Sequence, residues 1–122
     1  MPNLYHYRYR GRARRVIGPL SLDVDIDLGF RINIALPVRL DALAQPLPEH
    51  RDQVVDLVQA WLAAHHNQFT VETIKDTQEK FGRYLAIITA GDDGTELNQY
   101  LLSTDLVQPL GEPPPGATAN AT

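Results

Sequence analysis

Three aspartates recur at every second position in the run Leu22, Asp23, Val24, Asp25, Ile26, Asp27 and Leu28. Carboxylate oxygens are what a hard divalent cation takes, but the same spacing marks the outward side of a strand. Carboxylates two apart on one side of a strand stand about 6–7 Å from each other. An ion that wants six to eight converging oxygens is poorly served by that separation. The alternation therefore predicts a half-buried strand, with Leu22, Val24, Ile26 and Leu28 toward the core and Asp23, Asp25 and Asp27 toward solvent. Acidic outward positions also keep such a strand from mispairing.

A second group that could do chemistry is basic: Arg8, Arg10, Arg12, Arg14 and Arg15. Arg8, Arg10 and Arg12 are the candidate nucleic-acid contacts. Against them stands a net charge of −4 over 122 residues, which disfavours a general affinity for polyanions. A basic strand that balances acidic neighbours is the plainer expectation. Tyr5, Tyr7 and Tyr9 share one side of the same segment. Packing in the core or across strands is expected of them, with base stacking as the alternative. The histidines offer no metal site, because His65 and His66 are adjacent and point apart on a helix. The absence of cysteine removes thiolate metal sites, cysteine nucleophiles and disulfides. No glycine-rich phosphate loop and no nucleophile–base–acid set is recognisable. No metal and no cofactor is expected.

The elements that would position these residues follow from periodicity. Residues 5–17 alternate and predict a first strand, closed by a turn at Gly18 and Pro19. The acidic run is the second strand, and Gly29 and Phe30 bend the chain. Residues 31–40 predict a third strand at an edge or with a bulge, since Pro37 lacks an N–H. From Glu49 to His65 the period becomes helical, through Val54, Val55, Leu57, Val58, Trp61 and Leu62, with Asn67 as the stop. Phe69, Val71 and Thr73 predict a fourth strand and residues 83–90 a fifth. Thr95 is the expected cap of a short helix through Leu97, Leu101 and Leu102, after which residues 106–110 close onto the core. The whole is an α+β, mainly β chain: a five-stranded Greek-key barrel of the oligonucleotide/oligosaccharide-binding type, with a helix between strands 3 and 4 and a short C-terminal helix. Residues 1–110 form that domain, and residues 111–122 a Pro/Gly/Ala/Thr-rich tail.

Four stretches in this order resemble the micrococcal (staphylococcal-type) nucleases, above all their short phage-encoded members, over about residues 8–110. They are Arg15, Val16 and Ile17 followed by residues 22–30; Val38, Arg39 and Leu40; Lys75 and Asp76 followed by residues 80–85; and residues 93–98. The resemblance implies calcium-dependent phosphodiester hydrolysis: carboxylates hold the ion, a glutamate activates water and two arginines clamp the phosphate. Here the pattern is depleted. The family's Asp-Gly-Asp-Thr turn falls on Gly18, Pro19, Leu20 and Ser21, so the ligand position holds Leu20. Its Arg-Leu-x-Gly-Ile-Asp-x-Pro-Glu falls on residues 39–47, which puts Ala44 at the second metal carboxylate and Leu47 at the general base. A two-residue insertion would instead align Glu49 with the base. Neither Asp23 nor Asp41 is well placed to substitute for the missing ligands. Only the arginines, Arg39 and Arg83, are retained, as a residual anion or phosphate pocket or as partners of neighbours such as Asp41 and Asp76.

The expectation is therefore a non-catalytic, nuclease-like barrel acting as a structural or protein-binding module, plausibly in a phage virion or assembling particle. Its partners would be proteins of a larger assembly, in the virion or the host cytoplasm. The N-terminal sequence does not resemble a secretion signal, and no apolar run reaches membrane-spanning length. A single-stranded nucleic-acid binder and an active calcium nuclease are the alternatives.

Overall fold

A computed structural model describes residues 6–78 and 84–110, with the backbone alone for 6, 7 and 74–78. Five strands, β1 (His6–Gly18), β2 (Ser21–Asp27), β3 (Asn33–Leu40), β4 (Phe69–Gln78) and β5 (Tyr84–Ala90), form a closed barrel in the order β1-β2-β3-β5-β4. All neighbours are antiparallel except β3 and β5, which run parallel. A 3-10 turn (Pro48–His50) leads into helix α1 (Arg51–Ala64) between β3 and β4, and α2 (Leu97–Leu102) follows β5. This is the architecture the periodicities predict.

The interior collects alternate residues of four strands, Leu22, Val24 and Ile26 from β2, Val38 and Leu40 from β3, Phe69 and Val71 from β4, and Ala86, Ile88 and Ala90 from β5, with Tyr9, Ala13 and Val16 of β1 partly buried against them. Val54, Val58, Trp61 and Leu62 of α1 and Leu97 and Leu101 of α2 are buried in the same core. Each large aliphatic side chain so buried contributes about 1.5–3 kcal/mol. Gly11 sits on the inner side of β1 because a Cβ there would meet Val71 Cγ2 at 3.0 Å and the Asp25 carbonyl oxygen at 3.1 Å.

Four details depart from the sequence reading. The register of β1 against β2 slips between Ala13 and Arg15, so Arg14 is an inserted bulge residue and both Arg14 and Arg15 face solvent. Thr95 does not cap α2. Glu96 pairs with Thr89 and stays extended, and it occupies the N-cap without a side-chain hydrogen bond. Leu28 is not in the core, because the hairpin that carries it runs past the barrel end. After α2, Val107 is buried and Pro109 bridges Leu43, but Leu110 is exposed.

One side chain extends a ladder. In the β1–β4 register Phe69 faces Gly11, so two residues further along Asn67 would face Ala13. There Asn67 Oδ1 accepts from the Ala13 N–H at 2.9 Å, and its Nδ2 donates to the Ala13 carbonyl at 2.9 Å. Asn67 ends the turn after α1 with φ of 53°, a left-handed backbone that asparagine tolerates.

Candidate functional site

Leu20, where the resemblance would place a metal ligand, lies in the β1–β2 turn. Leu20 is 1% exposed and part of the apolar core, and its carbonyl accepts the Leu40 N–H at 2.9 Å. The turn is thus stitched to the end of β3, where Ser21 faces Arg39. Arg39 is buried, and its Nη2 donates to the Leu43 carbonyl at 2.8 Å, with Nη1 3.4 Å from the Leu40 carbonyl. Those contacts brace the bend at Asp41 and Ala42, where Ala42 has φ of 66°. Ala44 is half-buried, and Leu47 is exposed. Glu49 is also exposed, 3.7 Å from His50 Nε2. Asp23 points away from this place and is bound to Arg15 Nε at 2.8 Å. Arg83, with Tyr5 and the tail from Gly111, lies outside the described residues, as do the side chains of Tyr7, Lys75 and Asp76. Tyr9 packs against the core.

On the outer face of β4, β1 and β2 the arginine stripe meets an acidic one. The register sets Arg8 opposite Glu72, Arg10 opposite Asp27, Arg12 opposite Asp25 and Arg15 opposite Asp23. Arg8 Nε lies 3.7 Å from Glu72, and the bulged Arg14 lies 3.8 Å from Asp25. Five arginines therefore stand against four carboxylates, which leaves little field to draw a polyanion. Arg10 and Arg12 line a groove of about 910 Å³ together with Asp25, Asp27, Thr70 and Asp92.

Two features were not legible as sites in the sequence. The first is the β2–β3 hairpin tip. The Ile32 N–H donates to the Gly29 carbonyl at 2.9 Å, around Phe30 and Arg31 with φ of 54° and 63°. Two successive left-handed residues make a type I′ turn, ordinarily built from Asn and Gly. Asp27 Oδ1 supports it by accepting the Gly29 N–H at 2.8 Å. Phe30 is 95% exposed, and Leu28, Ile32 and Ile34 beside it are exposed too. The second is a cluster of His65, Asp92 and Asp93, whose ligand atoms all lie within 4.8 Å of one another. His65 Nδ1 is 2.8 Å from Asp92 Oδ1 and 3.9 Å from Asp93 Oδ1. The Thr95 N–H, 2.8 Å from Asp93 Oδ1, holds the Asp93 carboxyl below its usual value, and His65 adds a smaller pull. By linkage, what this contributes to stability is present above the ordinary carboxylate range and is lost as pH falls through the lowered value.

No protein-family model matches this chain, and no curated protein matches it either.

Proposed function

We propose that this chain is a non-catalytic, nuclease-like barrel that binds another protein through its β2–β3 hairpin. The observation that carries the reading is Phe30: a large apolar side chain held in water on a backbone that L residues with bulky side chains avoid. Such a conformation persists only where the surroundings impose it, and it concentrates at working sites. The hairpin also presents an open edge. β3 meets β5 only at Val38, Arg39 and Leu40, so residues 33–37 have no strand on that side among the described residues. An open edge offers main-chain donors and acceptors to an extended segment of a partner, while Ile32 and Ile34 offer apolar contact. A protein suits this surface better than lipid or nucleic acid, because the hairpin stem carries Asp23, Asp25 and Asp27 and the chain is net acidic. The family resemblance favours a component of a phage particle as that partner.

Catalysis is disfavoured by the hydrocarbon at the ligand and base positions: Leu20 is in the core, and neither Ala44 nor Leu47 can bind an ion or activate water. Single-strand binding is the weaker alternative, since the arginine stripe is matched by carboxylates across the ladder.

Two measurements test the reading. Incubation with single-stranded DNA and Ca²⁺ is expected to leave the DNA intact, and cleavage that a chelator abolishes overturns the non-catalytic half. For the binding half, wild type and Phe30→Asp are purified in parallel from the native source. The substitution is expected to lose the co-purifying protein by about 30-fold in affinity, the size of an interface hot spot, with no loss of urea midpoint. A partner held equally by both proteins removes the hairpin from the interface.

A further inference from the structure

We propose that His65, Asp92 and Asp93 form a binding site for a first-row divalent transition-metal ion, joining the end of α1 to the turn between β5 and α2. The site is separate from the nuclease-like position at Leu20 and Arg39, and it holds whether or not the hairpin binds a protein.

Three sources of negative potential converge here. His65 is the C-cap of α1, so the negative end of a 14-residue helix is directed at this place. Asp92 and Asp93, from a turn 27 residues further along the chain, bring two carboxylates to it. Carboxylates are ordinarily disfavoured beside a helix C-terminus, and a cation is favoured there. The Thr95 N–H donates to Asp93 Oδ1 at 2.8 Å and orients that carboxyl. A cation between the three groups offsets this arrangement.

The donor set chooses the ion. One imidazole nitrogen and two carboxylate oxygens suit Zn²⁺, Co²⁺ or Mn²⁺, whereas Ca²⁺ takes oxygen alone. Cis ligands of an octahedral ion at about 2.1 Å stand about 3 Å apart, and tetrahedral ligands about 3.4 Å. His65 Nδ1 and Asp92 Oδ1, now 2.8 Å apart, need only open slightly, and the 3.9 Å to Asp93 needs to close by less than an ångström. The ring is held ready: His65 is largely buried on its helix side, with the Trp61 ring 4.5 Å away. Asp92 also lines the groove of Arg10 and Arg12, so the remaining coordination positions open to solvent there.

The placement explains why residue spacing did not disclose the site. Adjacent histidines on a helix cannot chelate together, and His66 does not take part; the second and third ligands come from the far side of β4 and β5.

Titration calorimetry of the full chain with Zn²⁺ alone, in a chelator-cleared buffer, tests the assignment. The expected result is one saturable site per chain. His65→Ala and Asp92→Asn are each expected to weaken it by at least about 10-fold, a loss that even outer-shell partners of a metal ligand produce. His66→Ala, one residue along, is expected to leave it unchanged. No saturable uptake by the wild-type chain, or uptake undiminished in the folded Asp92→Asn protein, overturns the proposal.

Discussion

Leu20→Asp, the substitution that would put a carboxylate where the nuclease resemblance expects a metal ligand, is expected to unfold the barrel rather than to bind calcium. Leu20 is 1% exposed and sits in the core cluster with Leu22, Val38 and Leu40. Truncating such a leucine costs about 2–5 kcal/mol, and an unpaired buried carboxylate adds several more. The sum is comparable with the whole stability of a small domain, about 5–15 kcal/mol. Urea unfolding followed by circular dichroism reads the effect, with Leu20→Ala as the reference for lost packing alone. The deficit of the aspartate variant should shrink at low pH, where the new carboxyl is neutral, and grow as pH rises past about 4. A Leu20→Asp protein with the wild-type midpoint and a bound Ca²⁺ would show instead that the turn can present residue 20 outward. Ala44→Asp is the milder half of the same reconstruction, since Ala44 is only half-buried.

The second large effect belongs to Asn98. This buried side chain accepts from the Ile88 N–H at 3.2 Å and donates to the carbonyls of Asp41 and Ala86 at 3.1 and 3.2 Å. It thereby ties α2 to β5 and to the bend after β3, where β5 has passed the end of its pairing with β3. Asn98→Ala strands a donor and an acceptor away from water, at about 1–3 kcal/mol for each unsatisfied group. A loss of about 2–4 kcal/mol in unfolding free energy is expected. Asn98→Asp should cost more at neutral pH, because its carboxylate would keep the Ile88 bond but face two carbonyl oxygens. A loss below about 0.5 kcal/mol for Asn98→Ala would mean that water enters and takes over these partners.

The fold was legible where one period ruled a whole element. Strict alternation fixed β2, and the helical recurrence of Val54, Val58, Trp61 and Leu62 fixed α1. What escaped depended on interruptions of period or on distant neighbours. The bulge at Arg14 shifts the phase of β1 without any glycine or proline to announce it. Leu28, Ile32 and Ile34 have the apolar pattern of core residues, and only the barrel's finite height leaves them outside. Asn67 was legible as the point where the helical segment ends, although α1 is capped at His65 and Asn67 closes the turn after it, while its grip on Ala13 needs the β1–β4 register. At the candidate site, the identity of Leu20 and Ala44 was plain from the residues. The buried role of Arg39 as a brace for Leu43, and the meeting of His65 with Asp92, were not.

The cylinder is joined along one short seam. Among the described residues, only Val38 with Tyr84, Arg39 with Leu85, and Leu40 with Ala86 connect β3 to β5, whereas each of the other four joins runs over six or more pairs. Local opening follows the weakest pairing, so spontaneous loosening begins there and leaves the remaining ribbon intact. A guest strand seated on residues 33–37 would continue the line of β5 and lengthen that clasp. Capture of the guest and shutting of the cylinder are then one linked equilibrium, in which each favours the other.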